Sequence, residues 1–150
     1  MSNKIRWGIL STGNIAHQFA RGLSVLEDAE LVAVGSRSQE SSDKFGDEFN
    51  IPRRYASYEA LANDPDVDAI YIGTPHPMHA ENTILCLEAG KAVICEKPFA
   101  LNAEQARKAI NRARELRHFL MEAMWTRFTP VMAKVRELIA ADAIGEVRML

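Results

Sequence analysis

The sequence predicts an α/β fold with a doubly wound parallel sheet, and three observations carry that prediction. Short apolar runs alternate with amphipathic stretches along the chain. Several runs are apolar throughout, so both faces of the sheet they form must be covered. Cap and turn residues punctuate the boundaries between them. At 150 residues, 47% hydrophobic and 25% charged, the chain can bury one sizeable core.

The elements follow in order. Ile5–Leu10 reads as a strand, and residues 14–26 as a helix with Ile15, Phe19, Leu23 and Leu26 on one face. Residues 31–34 form the second strand. Ser38 caps a helix whose Phe45 and Phe49 lie one turn apart. A short extended piece at 54–56 precedes a helix over 57–62. Ala69–Ile72 is a strand, and the helix through Thr83, Ile84, Leu87 and Ala89 closes at Gly90, placed as a C′ glycine. Residues 92–95 form another strand, which must stop at Cys95 because Pro98 cannot continue a central ladder and biases Lys97 away from helix. Asn102 and Gln105 open a capping-box-like helix with Ala106, Ala109, Ile110 and Ala113 as its buried stripe. Residues 118–123 form a sixth strand. Pro130–Ala140 is a further helix, and 144–150 reads as a strand with no neighbour of its own. That last strand suggests the opening of a second domain in a longer protein.

Composition excludes several classes. The 18 basic and 20 acidic residues give a net charge of −2, which offers no global attraction for nucleic acid or an anionic membrane. The most basic stretch, 101–120, surrounds an apolar stripe and lacks interleaved aromatics, so it reads as a solvated helix face. Cys86 and Cys95 sit in apolar segments without C-x-x-C spacing, which fits reduced core thiols in a cytoplasmic protein. Together with His76 and His79 they match no zinc-ligand spacing, so no metal is expected. No apolar run approaches the ~18 residues of a membrane span, and no signal-peptide h-region is present.

The chemistry gathers where strands end. The first strand runs into Ser11-Thr12-Gly13-Asn14-Ile15-Ala16, a G-x-G-x-x-A pattern with Ser11 in place of the first glycine. Gly13 lets the backbone approach a pyrophosphate, Ala16 lets the helix pack closely, and free N–H groups at the helix start face the phosphates. This strand–turn–helix context makes the sheet Rossmann-type. After the second strand an NAD site wants a carboxylate for the ribose 2′-hydroxyl. The chain has Gly35-Ser36-Arg37-Ser38 instead, a hydroxyl and a guanidinium suited to a 2′-phosphate. The missing carboxylate also counts against adenosylmethionine, and NADP(H) is expected over NAD(H).

Thr74, Pro75 and His76 follow the fourth strand in a loop that two prolines hold extended. His79, at the next helix start, can orient a substrate hydroxyl or shuttle a proton near neutral pH, or serve only as a satisfied structural residue. Glu96 and Lys97 leave a carboxylate and an ammonium at a strand's carboxyl end, where open α/β sheets place ligands. A cis Lys97–Pro98 bond turns the lysine back over the sheet edge; a solvated surface turn is the alternative.

With these residues assembled, the chain resembles the N-terminal part of the Gfo/Idh/MocA family of sugar-type oxidoreductases. The marks are Gly-Asn-Ile-Ala at Gly13, Gly-Thr-Pro-His at Gly73, Glu-Lys-Pro at Glu96, and the run Met121-Glu122-Ala123-Met124-Trp125-Thr126-Arg127-Phe128. Within the family it looks most like the NADP-dependent dehydrogenases of dihydrodiols and D-xylose. The resemblance implies a dinucleotide domain over 1–123. It makes 124–150 the crossover helix and first strand of a substrate and oligomerisation domain. It places Lys97 beside the nicotinamide and the reacting carbon, with Glu96 supporting the cofactor and the Lys97–Pro98 bond cis. It assigns His79 to the active site and brings Trp125 and Arg127 near the nicotinamide. The implied substrate is a small polyol, sugar or dihydrodiol, and the implied full-length protein is a homo-oligomer whose proton-transfer partner comes from its second domain. A nucleotide-binding module or sensor without catalysis is the alternative.

Overall fold

The computed structural model describes residues 4–148, and among them the predicted architecture is present. The strands are β1 (Ile5–Leu10), β2 (Ala29–Gly35), β3 (Arg53–Tyr55), β4 (Ala69–Ile72), β5 (Ala92–Glu96) and β6 (Leu120–Ala123). The helices are α1 (Asn14–Leu23), α2 (Gln39–Phe49), α3 (Tyr58–Ala62), α4 (His79–Glu88), α5 (Ala103–Leu116) and α6 (Pro130–Ala140). Single 3-10 segments lie at His76–Met78 and Trp125–Phe128.

The sheet order is β3-β2-β1-β4-β5-β6, with every pair parallel. The winding reverses between β1 and β4, which opens a crevice at their carboxyl ends.

Alternation along the strands explains the apolar runs. Leu10, Ile70, Ile72, Val93 and Cys95 face the layer with Leu61, Leu87 and Ala113. Their neighbours Ile9 and Tyr71 face the other layer, against Ala16, Ala20 and Phe45. Each fully buried Ile or Leu contributes about 1.5–3 kcal/mol relative to exposure. Helices enter with the expected caps: Ser38 accepts from Ser41 N, Ser57 from Ala60 N, and Asn102 from Gln105 N. Gln105 Oε1 in turn accepts from Leu101 N at 3.1 Å, so the box closes one residue earlier than the usual form.

Four expectations need correction. The first helix stops at Leu23, and its buried stripe is Ala16, Ala20 and Leu23. Ile15 and Leu26 are exposed, because small alanines let the helix lie closer to the sheet than a larger stripe allows. In α5 Ala109 and Ala113 are buried while Ile110 is exposed, for the same reason. The sixth strand begins only at Leu120. Arg117 takes a left-handed φ of 57° and His118 N bonds Ala113 O at 3.0 Å, so residues 117–118 close α5 instead of starting the strand. The strand expected over 144–150 does not form across 144–148, where no ladder partner is present among the described residues to take its N–H and C=O groups. Met149 and Leu150 lie outside the described residues.

Helix α6 forms over the predicted span with Thr129 as its cap, and it is exposed along its whole length.

Candidate functional site

A crevice of about 650 Å³ opens at the carboxyl ends of β1, β2 and β4. Its floor is the turn after β1, where Ser11, Thr12, Gly13, Asn14 and Ile15 all line it. Ser11 is buried with φ 119°, a region that favours glycine and strains a side-chain-bearing residue. It holds this conformation through Ser11 N donating to Gly35 O at 2.8 Å, and its Oγ accepts from Gly13 N at 3.2 Å. The N-cap of α1 is Gly13, and no side chain caps the helix. A Cβ built on Gly13 would meet only Ser11 Oγ, at 3.7 Å, so the backbone there is open to a ligand. Gly73 answers a different need: a Cβ would lie 3.2 Å from both Ile15 Cγ2 and Tyr71 Cε1. A side chain there would push Ile15 and Tyr71 back by a few tenths of an ångström, so glycine suits the close approach of this loop to α1.

Ser36 and Arg37 form the second wall. Ser36 N donates to Tyr55 O at 3.0 Å, while the Arg37 side chain makes no ion pair among the described residues. Ser38 does not line the crevice, because its hydroxyl is committed to the α2 cap. Thr74, Pro75 and His76 form the third wall. Tyr58 also lines the crevice, and the sequence reading missed it as a site residue. Burial pushes its phenol up, while the nearby Arg37 guanidinium pulls the other way. A Tyr at the first position of a short capped helix carries no signal of its own; only the fold brings α3 under the end of β2.

Lys97 sits on a second cluster, at the carboxyl end of β5. The Lys97–Pro98 bond is cis and the Lys97 side chain is exposed. The backbone around it is held at three points. Glu96 Oε2 accepts from Lys97 N at 3.0 Å. His79 Nδ1 lies 2.8 Å from Pro98 O. Glu122 Oε1 accepts from Phe99 N at 3.0 Å. The other Glu96 oxygen accepts from the Tyr71 hydroxyl at 2.7 Å. Burial first, then the Glu96 carboxylate, pushes the Tyr71 phenol far above its ordinary range, so it keeps its proton and donates.

His79 is fully buried, and its Nε2 lies 2.7 Å from Thr74 O. Both ring nitrogens lie within hydrogen-bonding distance of backbone carbonyls. Trp125 and Arg127 lie in the exposed 3-10 segment after β6 and do not line the crevice among the described residues.

The donor set fits a dinucleotide: uncapped N–H groups at a glycine turn, and a guanidinium at the carboxyl end of β2. The sequence pattern of the Gfo/Idh/MocA oxidoreductase family, NAD-binding Rossmann fold, matches residues 5–124. The chain belongs to this family.

Similar proteins agree with that membership. The chain is 47% identical over 147 residues to trans-1,2-dihydrobenzene-1,2-diol dehydrogenase of Xenopus laevis, covering 97% of this chain and 44% of the relative. The enzyme of the same name from Mus musculus is also 47% identical over 147 residues, with the same coverage. A 3-ketoreductase from Actinomadura kijaniata, solved with NADP and TDP-benzene, superposes with a TM-score of 0.88 at 32% identity, over 97% of this chain and 45% of that one. The chain therefore spans less than half the length of the relatives it matches.

Proposed function

We propose that this chain is the cofactor-binding part of a CH–OH oxidoreductase that prefers NADP(H) to NAD(H). Residues 1–123 would form the dinucleotide domain and 124–150 the crossover into a second domain. The observation that carries the reading is Arg37, without an ion pair among the described residues, at the carboxyl end of β2 where an NAD site has a carboxylate. The NADP bound by the 32%-identical ketoreductase supports it, as do the dihydrodiol dehydrogenase relatives.

The uncapped start of α1 and Gly13 accept the pyrophosphate. Ser36 and Arg37 grip the 2′-phosphate, with Ser38 holding α2 behind them. Thr74, Pro75 and His76 bound the crevice toward Lys97. The bound nicotinamide supplies the hydride donor or acceptor. Lys97 presents its ammonium where the carbinol oxygen of a polyol, sugar or dihydrodiol gains negative charge on oxidation, and stabilises that charge. Glu96 aims Lys97 by holding its N–H. Trp125 and Arg127 come near the nicotinamide once the second domain is in place. That domain supplies the proton-transfer partner and a homo-oligomer contact.

A second reading, a nucleotide-binding module without chemistry, is favoured for these 150 residues alone by the open surroundings of Lys97. Titration with NADPH and NADH tests the cofactor assignment. NADPH is expected to bind at least about tenfold more tightly, a gap of roughly 1.4 kcal/mol. Arg37→Ala should erase most of that gap. Equal or tighter NADH binding by the natural chain refutes the role given to Arg37. Turnover of D-xylose or a dihydrodiol by the longer protein separates enzyme from module.

A further inference from the structure

We infer that the Tyr58 hydroxyl is a specificity-determining contact of the crevice, a third donor to the cofactor's 2′-phosphate beside Ser36 and Arg37. The inference rests on the NADP(H) preference proposed above and adds to that site a residue from a different element.

The chain has three tyrosines, and two have committed hydroxyls. Tyr55 donates to Asp64 Oδ2 at 2.9 Å, and Tyr71 donates to Glu96 Oε1 at 2.7 Å. Tyr58 makes no hydrogen bond among the described residues, although only 9% of it is exposed. A phenol so deeply placed ordinarily has a partner. Its ring is accounted for, because it packs in the core layer that holds Val32, Leu61 and Ile70. Its oxygen is not sealed there: among the described residues, the only enclosed side-chain N or O atom without a partner is Thr83 Oγ1. What remains open of Tyr58 lines the crevice.

The backbone is built to bring it there. Gly35 ends β2 directly before Ser36. A Cβ on Gly35 would lie 2.9 Å from Leu61 Cβ and 3.3 Å from Ser57 O, closer than packing allows. Glycine thus lets the start of α3 sit against the end of β2, so the residues just before Tyr58 and Ser36 are in contact. Tyr55 O fixes the same junction from β3. It accepts from Ser36 N at 3.0 Å and from Ser42 Oγ at 2.6 Å. None of these contacts uses the Ser36 hydroxyl, the Arg37 guanidinium or the Tyr58 hydroxyl.

Three donors without partners among the described residues therefore meet one crevice. No Asp or Glu lines it, and Glu59, next to Tyr58, stays outside. Burial holds the Tyr58 phenol above its ordinary range against the pull of Arg37, so it is protonated at neutral pH and donates. A ribose 2′-hydroxyl offers one oxygen and cannot satisfy all three donors, whereas a phosphate offers three. With its ring covered by the core, Tyr58 meets the cofactor through its hydroxyl and not by stacking on the adenine.

The test is titration of the natural chain, Tyr58→Phe and Arg37→Ala with 2′,5′-ADP, 5′-AMP, NADPH and NADH. Tyr58→Phe keeps the ring and removes one oxygen. It is expected to weaken 2′,5′-ADP and NADPH about tenfold, as for a lost charge-assisted hydrogen bond, and to leave 5′-AMP and NADH within about twofold. Equal loss for all four ligands overturns the inference, since the hydroxyl then serves the fold or the shared part of the nucleotide. No loss for any of them overturns it too. The natural chain gives a second readout that needs no variant. With 13Cζ-labelled tyrosine it has three signals, and one should shift with 2′,5′-ADP and not with 5′-AMP. Identical responses to the two nucleotides overturn the inference. A natural chain that prefers NADH counts against the proposed function. An NADPH preference that Arg37→Ala erases and Tyr58→Phe leaves intact counts against Tyr58 alone.

Discussion

The Tyr71 hydroxyl donates to Glu96 across 2.7 Å inside the sheet, and the second oxygen of that carboxylate holds the Lys97 N–H at 3.0 Å. A phenol in the middle of β4 thereby sets the geometry of the exposed lysine at the end of β5. Phe19 stacks on Tyr71 with centroids 3.8 Å apart and planes 4° from parallel, which locks the ring in place.

Removing that hydroxyl should be costly. Tyr71→Phe leaves one oxygen of the buried Glu96 without its donor, and the expected loss is about 1–3 kcal/mol. Urea unfolding followed by circular dichroism measures it. An unchanged midpoint would show that water replaces the phenol.

Ser11 offers the opposite sign. Its φ of 119° costs about 1–3 kcal/mol for a residue with a side chain. Glycine removes that strain and loses one hydrogen bond, to Gly13 N, worth about 1 kcal/mol. Ser11→Gly should therefore leave stability unchanged or raise it by up to ~2 kcal/mol, and it also frees the Gly13 N–H for a phosphate. Thermal unfolding and NADPH titration report the two effects separately; a lower melting temperature contradicts the strain argument.

The two thiols set an alkaline limit. Burial pushes Cys86 up to about 12 and Cys95 up to about 11, from 9.0. Between pH 9 and these values the unfolded chain has lost protons that the folded chain keeps, so stability falls as pH rises. The slope is up to ~1.4 kcal/mol per pH unit for each thiol. Urea midpoints at pH 8 and pH 10 should differ accordingly, with the difference smaller in Cys86→Ala/Cys95→Ala. Below pH 9 both thiols stay protonated and should resist alkylation in the folded chain.

Lys97 carries the proposed chemistry. In the longer protein, Lys97→Met should reduce turnover by about two to three orders of magnitude, or roughly 3–4 kcal/mol, while NADPH binding stays within a few-fold. Full activity in that variant removes Lys97 from the reaction.

Much of the site was legible before the fold was known. Strand ends are marked by a change from apolar residues to Gly, Ser and Pro, so Ser11–Ile15, Ser36–Arg37 and Thr74–His76 all declared themselves as residues at carboxyl edges. The structure brings these three segments around one crevice. Tyr58 was not legible, because its place depends on α3 packing beneath β2. The roles of Ser38 and His79 were blurred for a related reason: a hydroxyl or an imidazole names what it can bond, and its neighbours decide what it does bond. Trp125 and Arg127 entered through resemblance alone, and their exposed position in the described chain reflects a segment with little packed on it.

The sequence by itself determined the order of the elements, their parallel arrangement and the chemistry offered at each strand end. Those properties follow from local patterns of apolar residues, caps and prolines, which act over a few positions. Only the tertiary structure decided which face each helix buries, that Tyr71 meets Glu96 and His79 meets Pro98 O, and that residues 117–118 close a helix instead of opening a strand. Contacts between residues many positions apart, such as Tyr71 with Glu96 and Phe99 with Glu122, have no local signature; they exist once the sheet sets the spacing between neighbouring strands.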